Sequence, residues 1–311
     1  MYRIGIDLGG TRVKMGVVDE DYSIIKSMSI DTEASKDASY VVDKMIKATK
    51  ELIKEAGINE KDVKGIGIGS PGAIDRVNGI VLYSNNFNWY NVEIVKSFKE
   101  AFNCEVKLDN DATCATIGEY KAGIKEKYKN MILLTLGTGV GSGIYIDGKY
   151  YDGSNGGSEM GHMIIVADGE QCSCGAKGCL EAYASARALI REVTKMIKLH
   201  PDSILAKESV KGVEGRTVFE ANLKGCPYAK EIIDNYVHYL GIGLVNIINI
   251  FRPDIILLGG GLSCHEEELF PPLNAYVKEH SFGKDNLFIA KIERAKLGND
   301  AGTIGSACLI D

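Results

Sequence analysis

The chain lacks the features that would place it in a membrane, on nucleic acid or outside the cell. No apolar run reaches the roughly 18 residues that a membrane-spanning helix needs. Net charge is −6 over 311 residues, with no basic tail and no low-complexity segment, so a nucleic-acid partner has no electrostatic footprint. The first residues run straight into a strand-like segment, Tyr2-Arg3-Ile4-Gly5-Ile6, without the charged-then-apolar pattern of a leader. Among eight cysteines there is no Cys-X-X-Cys redox motif. No glycine loop carries the Gly-Lys-Ser/Thr of a Walker motif, which excludes a P-loop enzyme, and none opens a helix as a Rossmann turn does. The expectation is a cytoplasmic protein with reduced cysteines and neither a membrane nor a nucleic-acid partner.

What remains is ordinary in composition, with 45% apolar and 25% charged residues, and long enough for two domains with real cores. Strands are predicted at 3–8, 13–18 and 23–30, then a helix over 37–56 whose Val42, Met45, Ile46 and Ile53 share one face. Strands at 63–69 and 105–108 follow, and a helix running to about Ala122 with Gly123 as a left-handed cap. Strands at 131–136 and 140–146 repeat the strand–glycine turn–strand pattern of residues 3–18, a weak internal duplication. Helices at about 184–199, 218–223, 229–251, 266–278 and 301–309 and strands at 254–258 and 287–291 complete the reading. Two related α/β halves would face each other across a cleft.

Thirty-six glycines are many, and they cluster. Asp7-Leu8-Gly9-Gly10-Thr11 and Leu136-Gly137-Thr138-Gly139 each end a strand in a tight turn, and Gly259-Gly260-Gly261 ends another. Each alone reads equally well as a plain hairpin turn. Together they offer backbone N–H groups for phosphates, with a nucleoside near the third. Asp7 could hold Mg²⁺ through water, since that ion keeps much of its hydration.

The richest stretch is Glu159-Met160-Gly161-His162 followed by Cys172-Ser173-Cys174-Gly175-Ala176-Lys177-Gly178-Cys179-Leu180-Glu181. One histidine and three cysteines, His162, Cys172, Cys174 and Cys179, form the donor set of a closed tetrahedral zinc site, a staple with no open position for catalytic water. The alternatives are disulfide partners in an oxidising compartment, which the odd count disfavours, and coincidence. The corner Asp109-Asn110-Asp111 stands where a strand meets a helix. It reads as an N-cap with acids in the first turn, Asp109 being the capping residue, or as a substrate-facing corner with Asp111 as proton acceptor.

With these pieces placed, the chain resembles a sugar kinase of the ROK family (repressor, open reading frame, kinase), in the actin-like, sugar-kinase and heat-shock ATPase superfamily. The resemblance runs from residue 4 to residue 307. It is carried by the motifs above together with Ser70-Pro71-Gly72, Asn86-Phe87-Asn88-Trp89 and Asp300-Ala301-Gly302. It implies two actin-like (ribonuclease H-like) α/β domains, 1–118 with the C-terminal 300–311, and 119–299 with the zinc-stapled loop. It implies Asp111 as catalytic base and Asn110, Gly72, Asn86, Glu159, His162 and Glu181 around a sugar. Asp7, Gly9, Gly10, Thr11, Gly137, Thr138, Gly139, Gly259, Gly260 and Gly261 fall to the nucleotide. The implied reaction is phosphorylation of the 6-hydroxyl of glucose by ATP, with structural Zn²⁺ and with Mg²⁺, in a homodimer or dimer of dimers. Kinases of N-acetylmannosamine, N-acetylglucosamine, fructose or a β-glucoside share most of these motifs. Asn86-Phe87-Asn88 departs from the Asn-Leu the family often places before its tryptophan, which leaves the preferred sugar open. The family's repressors carry a helix-turn-helix ahead of the kinase-like part. Here the phosphate strand begins at residue 3, so the expectation is a kinase.

Overall fold

A computed structural model describes residues 1–85, 87–153 and 157–311. Asn86, assigned above to the sugar, lies outside the described residues. The chain divides into two compact α/β units, one built mainly from Met1–Lys127 and Lys296–Asp311, the other mainly from Tyr128–Tyr151 and Gly157–Ala295.

In the first unit, β1 (Tyr2–Leu8), β2 (Arg12–Val18) and β3 (Ile24–Asp31) form an antiparallel meander. The helix α1 (Ala38–Glu55) follows, then β4 (Val63–Ser70). A small antiparallel sheet of β5 (Ala73–Asp75), β6 (Ile80–Ser84) and β7 (Trp89–Val92) comes next, a feature absent from the sequence reading. The helix α2 (Ile94–Ala101), β8 (Glu105–Asn110) and α3 (Asp111–Gly118) complete the run. The main sheet has the order β3-β2-β1-β4-β8, with β1, β4 and β8 parallel.

Its two faces differ because β1 and β4 alternate isoleucine with glycine. Ile4, Ile6, Ile66 and Ile68 are fully buried and pack with Val41, Met45 and Leu52 of α1 and Phe98 of α2. Each such side chain contributes roughly 1.5–3 kcal/mol on burial. The opposite face presents Gly5 and Gly67, and there the C-terminal helix Ala301–Ala307 lies against the strands. A Cβ on Gly67 would overlap the Ser306 carbonyl, so backbone meets backbone with no side chain between.

The helix α3 does not continue to a left-handed cap at Gly123. It passes into a π-helical turn, Glu119–Gly123, and the left-handed residues are Lys125 and Glu126. The cause is Glu119, a fully buried carboxylate that accepts the N–H of Lys296 at 2.8 Å and of Leu297 at 2.7 Å. Burial raises its pKa, while those two amides oppose the shift.

The second unit repeats the plan. The strands β9 (Met131–Leu136), β10 (Val140–Ile146) and β11 (Lys149–Tyr151) form the meander. The helices are α4 (Glu181–Ala184), α5 (Ala186–Leu199), α6 (Ile204–Glu208), α7 (Thr217–Leu223) and α8 (Pro227–Phe251). Then come β12 (Ile255–Gly259), α9 (Glu266–His280) and β13 (Lys291–Arg294). The sheet order is β11-β10-β9-β12-β13, with β9, β12 and β13 parallel. The last strand lies three to four residues beyond its predicted span. Leu287 and Phe288 are exposed, and Leu287 closes a turn onto the Gly283 carbonyl. The long helix α8 is buried through Ile233, Leu240, Leu244 and Ile248. Among the described residues no helix is long and apolar enough to cross a membrane.

The close contact at Gly67 yields a test. Gly67→Val forces the C-terminal helix off the sheet and costs about 2–3 kcal/mol as overpacking. The expected readout is a Tm lowered by roughly 3–5 °C; an unchanged melt would refute the close-contact account.

Candidate functional site

In the first unit the candidate residues gather at the carboxyl edge of the parallel strands. Register pairs Asp7 with Gly69 and Gly69 with Asp109, so Asp7 and Asp109 stand two strand spacings apart, about 10 Å. Gly9, Gly10 and Thr11 close the β1–β2 hairpin, with Gly9 N–H donating to the Arg12 carbonyl at 3.0 Å. The Thr32 hydroxyl holds the Gly9 carbonyl at 2.7 Å, and Thr32 N–H holds that of Thr11 at 2.9 Å. Asp7 lies against Gly302 of the C-terminal helix, where a Cβ would come within 2.7 Å of its Cγ. Burial raises the Asp7 pKa, with Lys14 opposing.

The corner after β8 divides its labour differently from expectation. Asn110, not Asp109, is the N-cap: its Oδ1 accepts Ala112 N–H at 2.9 Å and Thr113 N–H at 3.3 Å. Its Nδ2 donates to the Gly72 carbonyl at 3.2 Å, joining the Ser70-Pro71-Gly72 turn to the corner. Asp109 is buried, and its Oδ1 accepts Asn110 N–H at 2.6 Å and Arg76 Nε at 2.8 Å. Burial raises its pKa and Arg76 opposes. Arg76 also reaches Asp152 at 2.5 Å. Sequence reasoning missed Arg76 because no motif marks a partner 33 residues away. Asp111 is the first residue of α3, half-buried, with Oδ1 accepting Ala112 N–H at 2.9 Å. An acidic side chain in that first turn is favoured by the helix dipole.

In the second unit the glycine turns Gly137-Thr138-Gly139 and Gly259-Gly260-Gly261 follow the adjacent parallel strands β9 and β12, with Gly259 opposite Thr135. They lie at one edge of the sheet, as Asp7 and Asp109 do in the first unit.

The histidine and cysteine segment forms a knuckle. Cys172 N–H bonds to the Ala176 carbonyl at 2.9 Å, Gly175 N–H returns to the Cys172 carbonyl at 3.2 Å, and Cys179 bridges Ile164. Gly178 must be glycine here: its φ is +82° and a Cβ would overlap the Val166 carbonyl. Glu159 is exposed, and its carbonyl accepts His162 N–H at 3.0 Å. The Met160 N–H donates to Ser142 Oγ at 3.0 Å, which ties this turn to β10.

The donor atoms of His162, Cys172, Cys174 and Cys179 all lie within 4.8 Å of one another. Tetrahedral zinc with 2.3 Å bonds to sulfur requires sulfurs about 3.8 Å apart, and slightly less from sulfur to nitrogen. The Cys174–Cys179 sulfurs are 3.7 Å apart and Cys172 Sγ is 3.6 Å from His162 Nδ1. The set fits zinc, with Nδ1 as the ligand nitrogen. Burial pushes the Cys179 thiol up to about 12, so a cation is what would make it a thiolate ligand. Convergence of an imidazole with three unbonded thiols also argues against a disulfide.

Glu181, at the end of the knuckle and the start of α4, links the two features. Its Oε2 accepts Val140 N–H at 3.0 Å, directly after the Gly137–Gly139 turn, and its Oε1 accepts the Ser173 hydroxyl at 2.7 Å. Ser173, the middle residue of Cys-X-Cys, carried no signal in the sequence.

Two α/β units with the same sheet order, each with a glycine turn at one sheet edge, and a His-Cys₃ knuckle joined to one of them, define a duplicated α/β protein. The chain belongs to the ROK family, whose family model matches residues 3–311. It is 36% identical to a glucokinase of Thermotoga maritima over 99% of this chain and 96% of that one. It is 30% identical to a xylose repressor of Caldicellulosiruptor bescii, over 99% of this chain and 77% of the repressor. Among solved structures, a ROK family glucokinase from Streptomyces griseus in complex with glucose and AMPPNP superposes with a TM-score of 0.84. That pair is 32% identical, with 99% of each chain covered.

The knuckle geometry predicts one zinc per chain in purified protein. Cys174→Ser should weaken zinc binding by more than roughly 100-fold, exceeding the loss usual for an outer-shell partner. Metal analysis after exhaustive dialysis checks this, and stoichiometric zinc in the variant would overturn the assignment.

Proposed function

We propose that the protein is an ATP-dependent hexose kinase that phosphorylates the 6-hydroxyl of glucose, with Asp111 as general base. The observation that carries this reading is Asp111 at the first position of α3, on the same sheet edge as the Asp7–Thr11 turn. Full-length likeness to two glucokinases supports the choice of glucose and of ATP.

The Asp111 carboxylate takes the proton of the primary hydroxyl as that oxygen bonds to the γ-phosphorus. The bond from the γ-phosphorus to the bridging oxygen breaks and ADP leaves. The transition state of such a transfer is loose, so position and charge neutralisation matter more than base strength. The backbone amides of the two glycine turns, Gly9–Thr11 and Gly137–Gly139, are the donors the reading assigns to phosphate oxygens. Asp7 would hold a hydrated Mg²⁺; its burial-raised pKa marks a carboxylate that a nearby cation would stabilise in its charged form. Magnesium bound there supplies neutralisation of phosphate charge.

In this reading the sugar falls to Asn110, Gly72, Glu159, His162 and Glu181. A hexose presents hydroxyls that each need a donor and an acceptor, which carboxylates and an imidazole supply. With Nδ1 turned to the cysteines, His162 has Nε2 left for a sugar hydroxyl. Zinc is then a support for specificity and takes no part in the transfer.

Asp111→Asn is expected to bind glucose normally and to lose at least roughly 10²-fold in kcat. Near-normal turnover would sink the assignment of the base. A coupled assay of ADP release over glucose, fructose, N-acetylmannosamine, N-acetylglucosamine and a β-glucoside should give the highest kcat/KM with glucose. A different best sugar would move the substrate while leaving the kinase reading standing. Absence of transfer to any of them would favour the sugar-sensing role of the repressors.

A further inference from the structure

We propose that Ser173 is a positioning residue that couples the cysteine knuckle to the glycine turn Gly137–Gly139, so that the knuckle sets nucleotide affinity as well as sugar affinity. The identity of the ligand rests on the kinase reading above; the coupling rests on geometry alone.

Ser173 sits between two of the four metal donors, Cys172 and Cys174, so its backbone goes where the knuckle goes. Its hydroxyl donates to Glu181 Oε1 at 2.7 Å. Cys172 Sγ lies 3.8 Å from the same oxygen. The other carboxylate oxygen receives Val140 N–H at 3.0 Å. A side chain at Gly139 would collide with that oxygen, so the turn approaches Glu181 as closely as backbone allows. Glu181 is rooted by Leu180 and Cys179, both fully buried. The path from Ser173, between two of the candidate donors, to Val140, directly after the glycine turn, is therefore two hydrogen bonds long.

The direction of the effect follows from the carboxylate. With a donor on each oxygen, its plane has one orientation, and Oε2 is held on the Val140 amide. Without the Ser173 hydroxyl, Oε1 is released and the carboxylate rotates about its last bond. The Val140 amide then loses its fixed acceptor, and the glycines before it regain freedom that must be lost again when phosphate binds. Ser173 is exposed and is itself assigned to neither substrate, while its partner Glu181 is assigned to the sugar, so its loss should act on binding of both substrates and leave the chemical step alone.

The test compares zinc-loaded wild type, Ser173→Ala and Ser173→Thr. Amide hydrogen exchange over residues 137–141 in the ligand-free protein reads the coupling directly. Ser173→Ala should exchange several-fold faster there at unchanged zinc content, and Ser173→Thr, which keeps the hydroxyl, should restore protection. Calorimetric titration with a non-hydrolysable ATP analogue should give a Kd raised roughly 3–10-fold in Ser173→Ala, the range of one typical net hydrogen bond. In turnover the KM for ATP should rise, with that for glucose rising through Glu181, at unchanged kcat. Unchanged exchange in Ser173→Ala would overturn the coupling whatever the ligand. Faster exchange without any nucleotide binding by wild type would overturn the kinase reading, and with it the nucleotide half of the proposal.

Discussion

Parallel register among β1, β4 and β8 is the constraint from which the first unit's chemistry follows. It puts Asp7, Gly69 and Asp109 in one row. Asp7, Asn110 and Asp111 then leave the sheet at the same edge. The register is itself held by asymmetry of the two faces. Isoleucines on one side must meet α1, and glycines on the other must admit the C-terminal helix. A one-residue slip would turn Ile4, Ile6, Ile66 and Ile68 toward a backbone with no room for them. Thus the placement of an acid at the head of α3 is secured by apolar packing far from it.

The corner that carries Asp111 is tied down on three sides. Asn110 spends its amide on the first turn of α3 and on Gly72, and Asp109 spends its carboxylate on Arg76 and on the Asn110 amide. At the other end of the helix, Glu119 grips the returning chain at Lys296 and Leu297. The base proposed at Asp111 would gain more from such fixing than from any tuning of basicity.

Elements with a strong period were legible from sequence: α1 and α8, and the two meanders. The repeated strand–turn–strand pattern at 131–146 extends in the structure to the full sheet order. The sheet of β5, β6 and β7 was not legible. Its strands are three to five residues long, and Leu82, Tyr83 and Tyr90 are exposed, which breaks the alternation that marks a strand. The end of α3 was misread because Gly123 looked like a cap. It is small there to clear the Glu119 carboxylate, whose partners lie 177 and 178 residues along the chain. The same limit hid Arg76. Donor types and glycine turns are local and can be read; the ion pairs and carboxylates that orient them are made by topology. The candidate metal donors were readable because all four fall within eighteen residues.

The duplication also explains why the knuckle stands where it does. Each unit must hold a glycine turn still at the end of its first strand. The first turn, Gly9-Gly10-Thr11, is held through its carbonyls by Thr32, a residue of its own meander's end. The second, Gly137-Thr138-Gly139 with Gly141 close behind, has three glycines in five residues, and glycine loses the most freedom on ordering. A hydroxyl on a neighbouring loop would be a weak match for that cost. The second unit instead brings a carboxylate, whose hydrogen bond to an amide is about twice as strong as a neutral one. A carboxylate on a flexible loop would merely move the disorder from turn to loop. Rooting it beside four convergent candidate donors removes that freedom too, which under the proposed reading gives a metal with no open position a reason to sit next to the glycine turn.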